Sequence, residues 1–188
     1  KSHPGETSAW LRIGQIEAQK IECIPYKKTR FLKALKNIRT LTNEYPVPGE
    51  KLVDLCKKAG VALVVTEQFP KAPWNGASQW LTPDKAMILL TLRWRHEDRF
   101  WFSFFHEAGH ILHDSKKGVF INNDQQADEN EKRADNFAAN FLIPENYLDR
   151  ITTLRTIDQV KTLAKEIGVS PGIVAGRFQH ETVQWKNS

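Results

Sequence analysis

Cysteine is scarce: the 188 residues hold two, Cys23 and Cys56, far apart and in no CxxC pair. That spacing argues against a cysteine metal site and demands no disulfide, so a reducing, cytoplasmic setting is the expectation. No stretch of 18 uncharged apolar residues occurs, which leaves no candidate for a membrane-spanning helix. The opening Lys1-Ser2-His3-Pro4-Gly5 has neither a methionine nor an apolar signal core and reads as part of a longer chain. Acidic residues are missing between Tyr26 and Thr40, where Lys27, Lys28, Arg30, Lys33, Lys36 and Arg39 accumulate. No nucleic-acid reader motif accompanies them, so the patch reads as a solvated helix face in preference to a DNA or RNA surface. The remaining composition, 40% hydrophobic and 26% charged with a net charge of +5, suits a globular chain with one substantial core.

The most informative stretch is Phe100-Trp101-Phe102-Ser103-Phe104-Phe105-His106-Glu107-Ala108-Gly109-His110-Ile111-Leu112-His113. It holds an HExxH motif inside an apolar run long enough for three turns of helix. On a helix His106 and His110 are one turn apart on one face and can close on a single cation, while Glu107 is turned about 100° away. Two histidines and a glutamate inside a buried helix are costly without a partner. Zn²⁺ suits such imidazoles and lowers the pKa of water towards about 7, and a neighbouring carboxylate can take the proton. The pattern is that of a zinc hydrolase, with His106 and His110 as ligands and Glu107 as the base.

Around this helix the periodicity is readable. Residues 8–20 and 27–41 are helical, the second with Phe31, Leu32, Leu35, Ile38 and Leu41 as its apolar stripe. Pro46, Pro48 and Gly49 break the chain, and a compact domain is expected over 46–188, preceded by a helical extension over 1–45. Helix is expected over 50–59, then strands over 61–65, 77–81 and 86–92, with Thr82-Pro83-Asp84-Lys85 as the turn between the last two. One of these strands should border the metal cleft and offer an edge to an extended peptide. Asp98 is the expected N-cap of the HExxH helix, 114–126 a loop, and 127–142, 157–167 and 171–181 further helices. Gly168 should end one of these, and Ser170-Pro171 should open the next.

A third ligand must come from elsewhere. His113 lies about 10 Å of helix rise from His106, too far to converge on one tetrahedral ion. The longer HExxHxxGxxH pattern fails, with His113 at its glycine position and Lys116 at its last histidine. Glu131 is the preferred candidate: Asp135 follows at i+4, so one carboxylate can bind the metal while the other holds the free ring N–H of a ligand histidine. Glu129 and Asp128 compete for the role from the frayed start of the helix. His180, with Arg177 on the same face, is the candidate donor to a developing oxyanion. A surface histidine near a helix end is the alternative reading.

His106-Glu107-Ala108-Gly109-His110, then Glu131-x-x-Ala134-Asp135-x-Phe137-Ala138-Ala139 and Leu142-Ile143-Pro144, resembles the ImmA/IrrE family of gluzincin-like metallopeptidases. Stretches at 9–12, 76–81, 102–110 and 169–180 are similar to the branch joined to XRE-type helix-turn-helix domains and HigA-like antitoxins. Asp135 stands where the family commonly has asparagine. The resemblance implies an α+β zincin-like domain with a small sheet and a helical N-terminal extension. It places zinc on His106, His110 and Glu131, the general base on Glu107, and a protein or peptide substrate, such as a repressor, in the cleft. DNA would be contacted only by a domain outside this chain, and no membrane partner is implied. The alternative is a non-catalytic zinc-binding regulatory domain. An intact Glu107 speaks for the enzyme, because a purely structural site has no use for a base.

Overall fold

The structure, a computed structural model, describes residues 4–67, 74–91, 97–114, 119–123 and 129–186. Its elements are α1 (Pro4–Lys20), α2 (Lys28–Thr40), α3 (Gly49–Lys57), β1 (Val61–Thr66), β2 (Trp74–Thr82), β3 (Lys85–Thr91), α4 (Glu97–His113), β4 (Val119–Asn123), α5 (Glu129–Leu142), α6 (Leu148–Thr152), α7 (Ile157–Ile167) and α8 (Pro171–Lys186). This is the expected α+β class. The four strands lie in the order β1-β3-β2-β4, with β1 parallel to β3 and β2 antiparallel to both of its neighbours.

Strands β1 and β3 read as nearly continuous apolar runs because helices cover both faces. Alternation sends Val61, Leu63, Ala86, Ile88 and Leu90 into a core shared with α2, α3, α4, α5, α7 and α8. It sends Ala62, Val64, Met87 and Leu89 to the opposite face, under Trp10 and Ala18 of α1. A bulge in β2 between Trp74 and Gly76 puts Trp74 on the same face as Ala77. Trp74 then stacks on Trp10 with ring centroids 5.2 Å apart. The Trp10 Nε1 donates to Thr66 Oγ1 at 3.1 Å. A fully buried indole contributes up to about 4–6 kcal/mol by area. Segment 1–45 therefore supplies a layer to each face of the sheet.

Several details differ from expectation. Helix α4 starts at Glu97, so Asp98 sits inside its first turn, where Gly176 leaves room for its carboxylate against α8. The 114–126 segment is not all loop: Val119–Asn123 forms β4, whose run of only five residues ends in two asparagines and hides a strand signal carried by Val119-Phe120-Ile121. Strands β2 and β3 are interior, so among the described residues the sheet's edges are β1 and β4, and neither strand adjoining the Thr82–Lys85 turn offers a free side. Ser170 precedes α8, but its hydroxyl makes no hydrogen bond, and Ile173 N–H closes the turn on the Ser170 carbonyl. Helix α7 matches expectation, with a Thr156–Gln159 capping box and Gly168 at φ 81°.

The basic residues of α2 do structural work. Lys28 Nζ donates to the Leu112 carbonyl at 2.9 Å, in the last turn of α4. Arg39 donates from Nε to Phe141 O at 2.8 Å, and from Nη2 to Leu142 O at 2.9 Å and Ile167 O at 3.0 Å. These are the orphan carbonyls at the ends of α5 and α7, where a cation also meets the negative pole of each helix. Exposed Lys36 makes no such bond. Arg39→Ala should cost about 2–3 kcal/mol in urea denaturation, and Lys36→Ala less than about 0.5 kcal/mol. Equal losses would show that the patch is a solvated face after all.

Candidate metal centre

Helix α4 is buried along most of its length, and its HExxH glycine packs directly against α5. A Cβ at Gly109 would stand 3.2 Å from Ala134 Cα and 3.2 Å from Phe137 Cδ1. Glycine facing alanine brings the two backbones close enough for a carboxylate on α5 to reach the α4 histidines.

That carboxylate is Glu131. Its Oε2 lies 3.2 Å from His106 Nε2 and its Oε1 lies 3.3 Å from His110 Nε2. The two Nε2 atoms are 3.1 Å apart. All three side chains are buried, and the donor atoms fall within 4.8 Å of one another. A tetrahedral ion with bonds of about 2.0–2.1 Å places its donors about 3.3 Å apart. The observed spacings fit such an ion. Exposed Glu129 is outside the group, as is His113, whose ring packs on Phe137 at 5.4 Å. Asp128 lies outside the described residues.

The outer ring nitrogens are held by carboxylates. His106 Nδ1 meets Asp135 Oδ1 at 2.8 Å, and His110 Nδ1 meets Asp114 Oδ2 at 2.5 Å. With an acceptor there, Nδ1 is the nitrogen of each ring that donates, and Nε2 is the one left facing the donor group, the arrangement a metal requires once Nε2 is deprotonated. The Asp135 contact is the one expected from i,i+4 spacing to Glu131. Asp114 was not anticipated. It stands at i+4 from His110, a signal masked by its place in a stretch read as loop. Arg133 Nη2 donates to the second oxygen of Asp114 and, at 2.6 Å, to Asn130 Oδ1.

Glu107 is fully buried between α4 and β2. Neither oxygen has a hydrogen bond of normal geometry, although the Ser78 hydroxyl is close enough to favour the charged form. Burial pushes its pKa up to about 7 against the opposing pull of His106 and His110. Gly76 makes this fit possible, since a Cβ there would stand 2.8 Å from Glu107 Oε1. Gly76 and Ser78 lie in the 76–81 stretch that carries the family resemblance, but their place beside Glu107 is visible only in the fold.

A cleft of about 1040 Å³ opens beside Asp135, with Phe102, Leu142, Ile143 and Ile173 among its apolar lining. His180 and Arg177 are on its wall. The His180 ring is 61% exposed, 3.7 Å from Glu181 Oε1, which also receives Arg177 Nε at 2.8 Å. His180 shares this cleft with Asp135 and stands apart from the three donors and Glu107, none of which lines it.

The acid–base state follows from the same contacts. For His106, burial opposes the charged ring, but the Asp135 and Glu131 carboxylates outweigh it and raise the pKa to about 10. For Glu131, burial is outweighed by the two imidazoles, and the pKa falls to about 2. At neutral pH a proton on His106 thus competes with a metal for the same Nε2. Metal binding should release it, so affinity should rise with pH by about tenfold per unit per proton released through the neutral range. Calorimetry in buffers of different ionisation enthalpy measures that count, and a pH-independent affinity would contradict the arrangement. Glu131→Ala should remove most of the metal retained on purification, while Glu129→Ala should leave it in place.

No curated protein matches the chain. The model of the IrrE N-terminal-like domain, a peptidase M78 family, matches residues 56–179, a span that includes all three donors and Glu107. With well over half of its length matched and a His-His-Glu group built between its two central helices, the chain belongs to the IrrE N-terminal-like family of peptidase domains.

Proposed function

We propose that the domain is a zinc-dependent endopeptidase. The observation that carries this reading is the pairing of an inward-facing His106–His110–Glu131 donor set with a buried carboxylate, Glu107, that no structural hydrogen bond employs. When bound there, zinc supplies Lewis acidity that polarises a peptide carbonyl and lowers the pKa of water to about 7. Glu107 takes the proton of the attacking water on its carboxylate and returns it to the departing amine. Its raised pKa suits a group that must both accept and donate near neutrality, and a neighbouring cation would lower that pKa and favour the base form. Asp135 keeps the His106 ring from turning, and Gly76 leaves the room that the Glu107 carboxylate occupies. His180 is assigned the role of donor to the carbonyl oxygen, since it lines the cleft on the side of Asp135.

The substrate is proposed to be an extended protein segment. Strand β2 runs beside Glu107 but is covered by β4, so backbone pairing by a substrate falls to the outer side of β4. Proline substitutions in β2 or β3 would break interior ladders and unfold the sheet, so β4 is the strand to probe. A repressor as substrate, a cytoplasmic setting and a place in a helix-turn-helix regulator or antitoxin follow from the family resemblance. DNA contact would then belong to a separate domain. Among the described residues no helix is long and apolar enough to cross a membrane.

Glu107→Gln keeps the shape of the side chain and should retain the metal, while hydrolysis of repressors encoded nearby falls by about 10²–10⁴-fold. Cleavage by Glu107→Gln at the wild-type rate would refute the mechanism. Metal binding with no cleavage of any candidate by the wild type would favour the regulatory reading.

A further inference from the structure

We propose that Asp114 and Arg133 are positioning residues that hold His110 in its metal-binding orientation and lock α4 to α5 across the centre; the proposal rests on the metal-site reading above. Asp114 lies one turn beyond His110, just past the end of α4, where a carboxylate meets the negative pole of the helix. An acid is electrostatically misplaced there unless something compensates it. Two contacts do so: the His110 Nδ1–H on one oxygen and the Arg133 guanidinium on the other. Arg133 comes from α5, two residues beyond Glu131. The same ionic contact that orients a ligand of α4 therefore fixes the helix that carries the third ligand.

The two histidines are not held alike. The Asp114 side chain is 3% exposed, whereas that of Asp135, the partner of His106, is 56% exposed. A hydrogen bond shielded from water is electrostatically stronger and costs more to lose. His110 is therefore the more tightly oriented ligand, and Asp114 should matter more to metal affinity than Asp135, although Asp135 is the partner expected from the sequence. Arg133 is half exposed and touches no donor atom of the centre directly, so its influence must pass through Asp114.

The test is Co²⁺ binding to the whole chain, followed by visible absorption and by competition with a chelator. Asp114→Asn keeps size and a hydrogen-bond acceptor and removes the charge. It should weaken binding by about 10–100-fold and alter the intensity of the Co²⁺ bands. Asp135→Asn should weaken binding by a smaller factor. Arg133→Gln should weaken it several-fold in the wild-type background and not at all in Asp114→Asn, with Arg133→Lys restoring part of the loss. Arg133 is exposed enough for its variants to fold, so they decide the matter even if Asp114→Asn does not. Wild-type affinity in Arg133→Gln, or an equal loss in both backgrounds, overturns the proposal. If the wild-type chain takes up no Co²⁺ or Zn²⁺, the metal-site reading falls and this inference with it.

Discussion

A carboxylate on one helix has to meet two imidazoles on another at about the edge length of a tetrahedron, with no water between them. The rest of the structure answers to that constraint. Helices with ordinary side chains at their contact pack 8–10 Å apart. Gly109 faces Ala134, where a Cβ on the glycine would stand 3.2 Å from the Ala134 Cα, and with the helices this close Glu131 reaches both His106 and His110. A larger residue at either position would push the third donor out of reach, whatever the ligands themselves.

Such a centre is expensive to bury. Glu131, Glu107 and two histidines lie within a few ångströms in an interior otherwise made of Trp101, Phe104, Phe105 and Ala138. The cost is offset by a graded set of contacts. Carboxylates hold the outer nitrogens, Arg133 balances one of those carboxylates, and the cation site balances Glu131. For Glu107 the compensation falls short: burial outweighs the pull of His106, His110 and Ser78, and the pKa stays raised at about 7. A group kept at an energetic disadvantage inside an otherwise satisfied network is one that chemistry can use.

Legibility in the sequence followed the physics. Periodicity located α4 because its apolar face and its HExxH spacing report the same helix. Glu131 was legible through Asp135, since a ligand and the partner of a ligand on one helix must recur at i,i+4. Asp114 obeys the same spacing from His110, yet it was overlooked because it sits at a helix end among polar residues. Strand β4 was hidden by its shortness. Helix α1 carries no clean stripe: Trp10 and Ala18 are buried, but Ile13 and Ile16 are about 40% exposed, so its place against the sheet is a tertiary fact. Lys28 and Arg39 looked like solvated charges because a sequence does not show which cations will meet backbone carbonyls.

Those two cations bear on how the centre is held. The family match begins at residue 56, but the donors that satisfy the last carbonyls of α4, α5 and α7 come from α2, which precedes it. Both metal-bearing helices thus have their C-terminal ends tied to one basic helix, and they face each other at Gly109 and Ala134. Two fixed points on each helix restrain its rotation about its own axis, the motion that would swing the Nε2 atoms of His106 and His110 away from Glu131. The basic stretch from Lys27 to Arg39 therefore contributes to the geometry of a site with which it shares no atom.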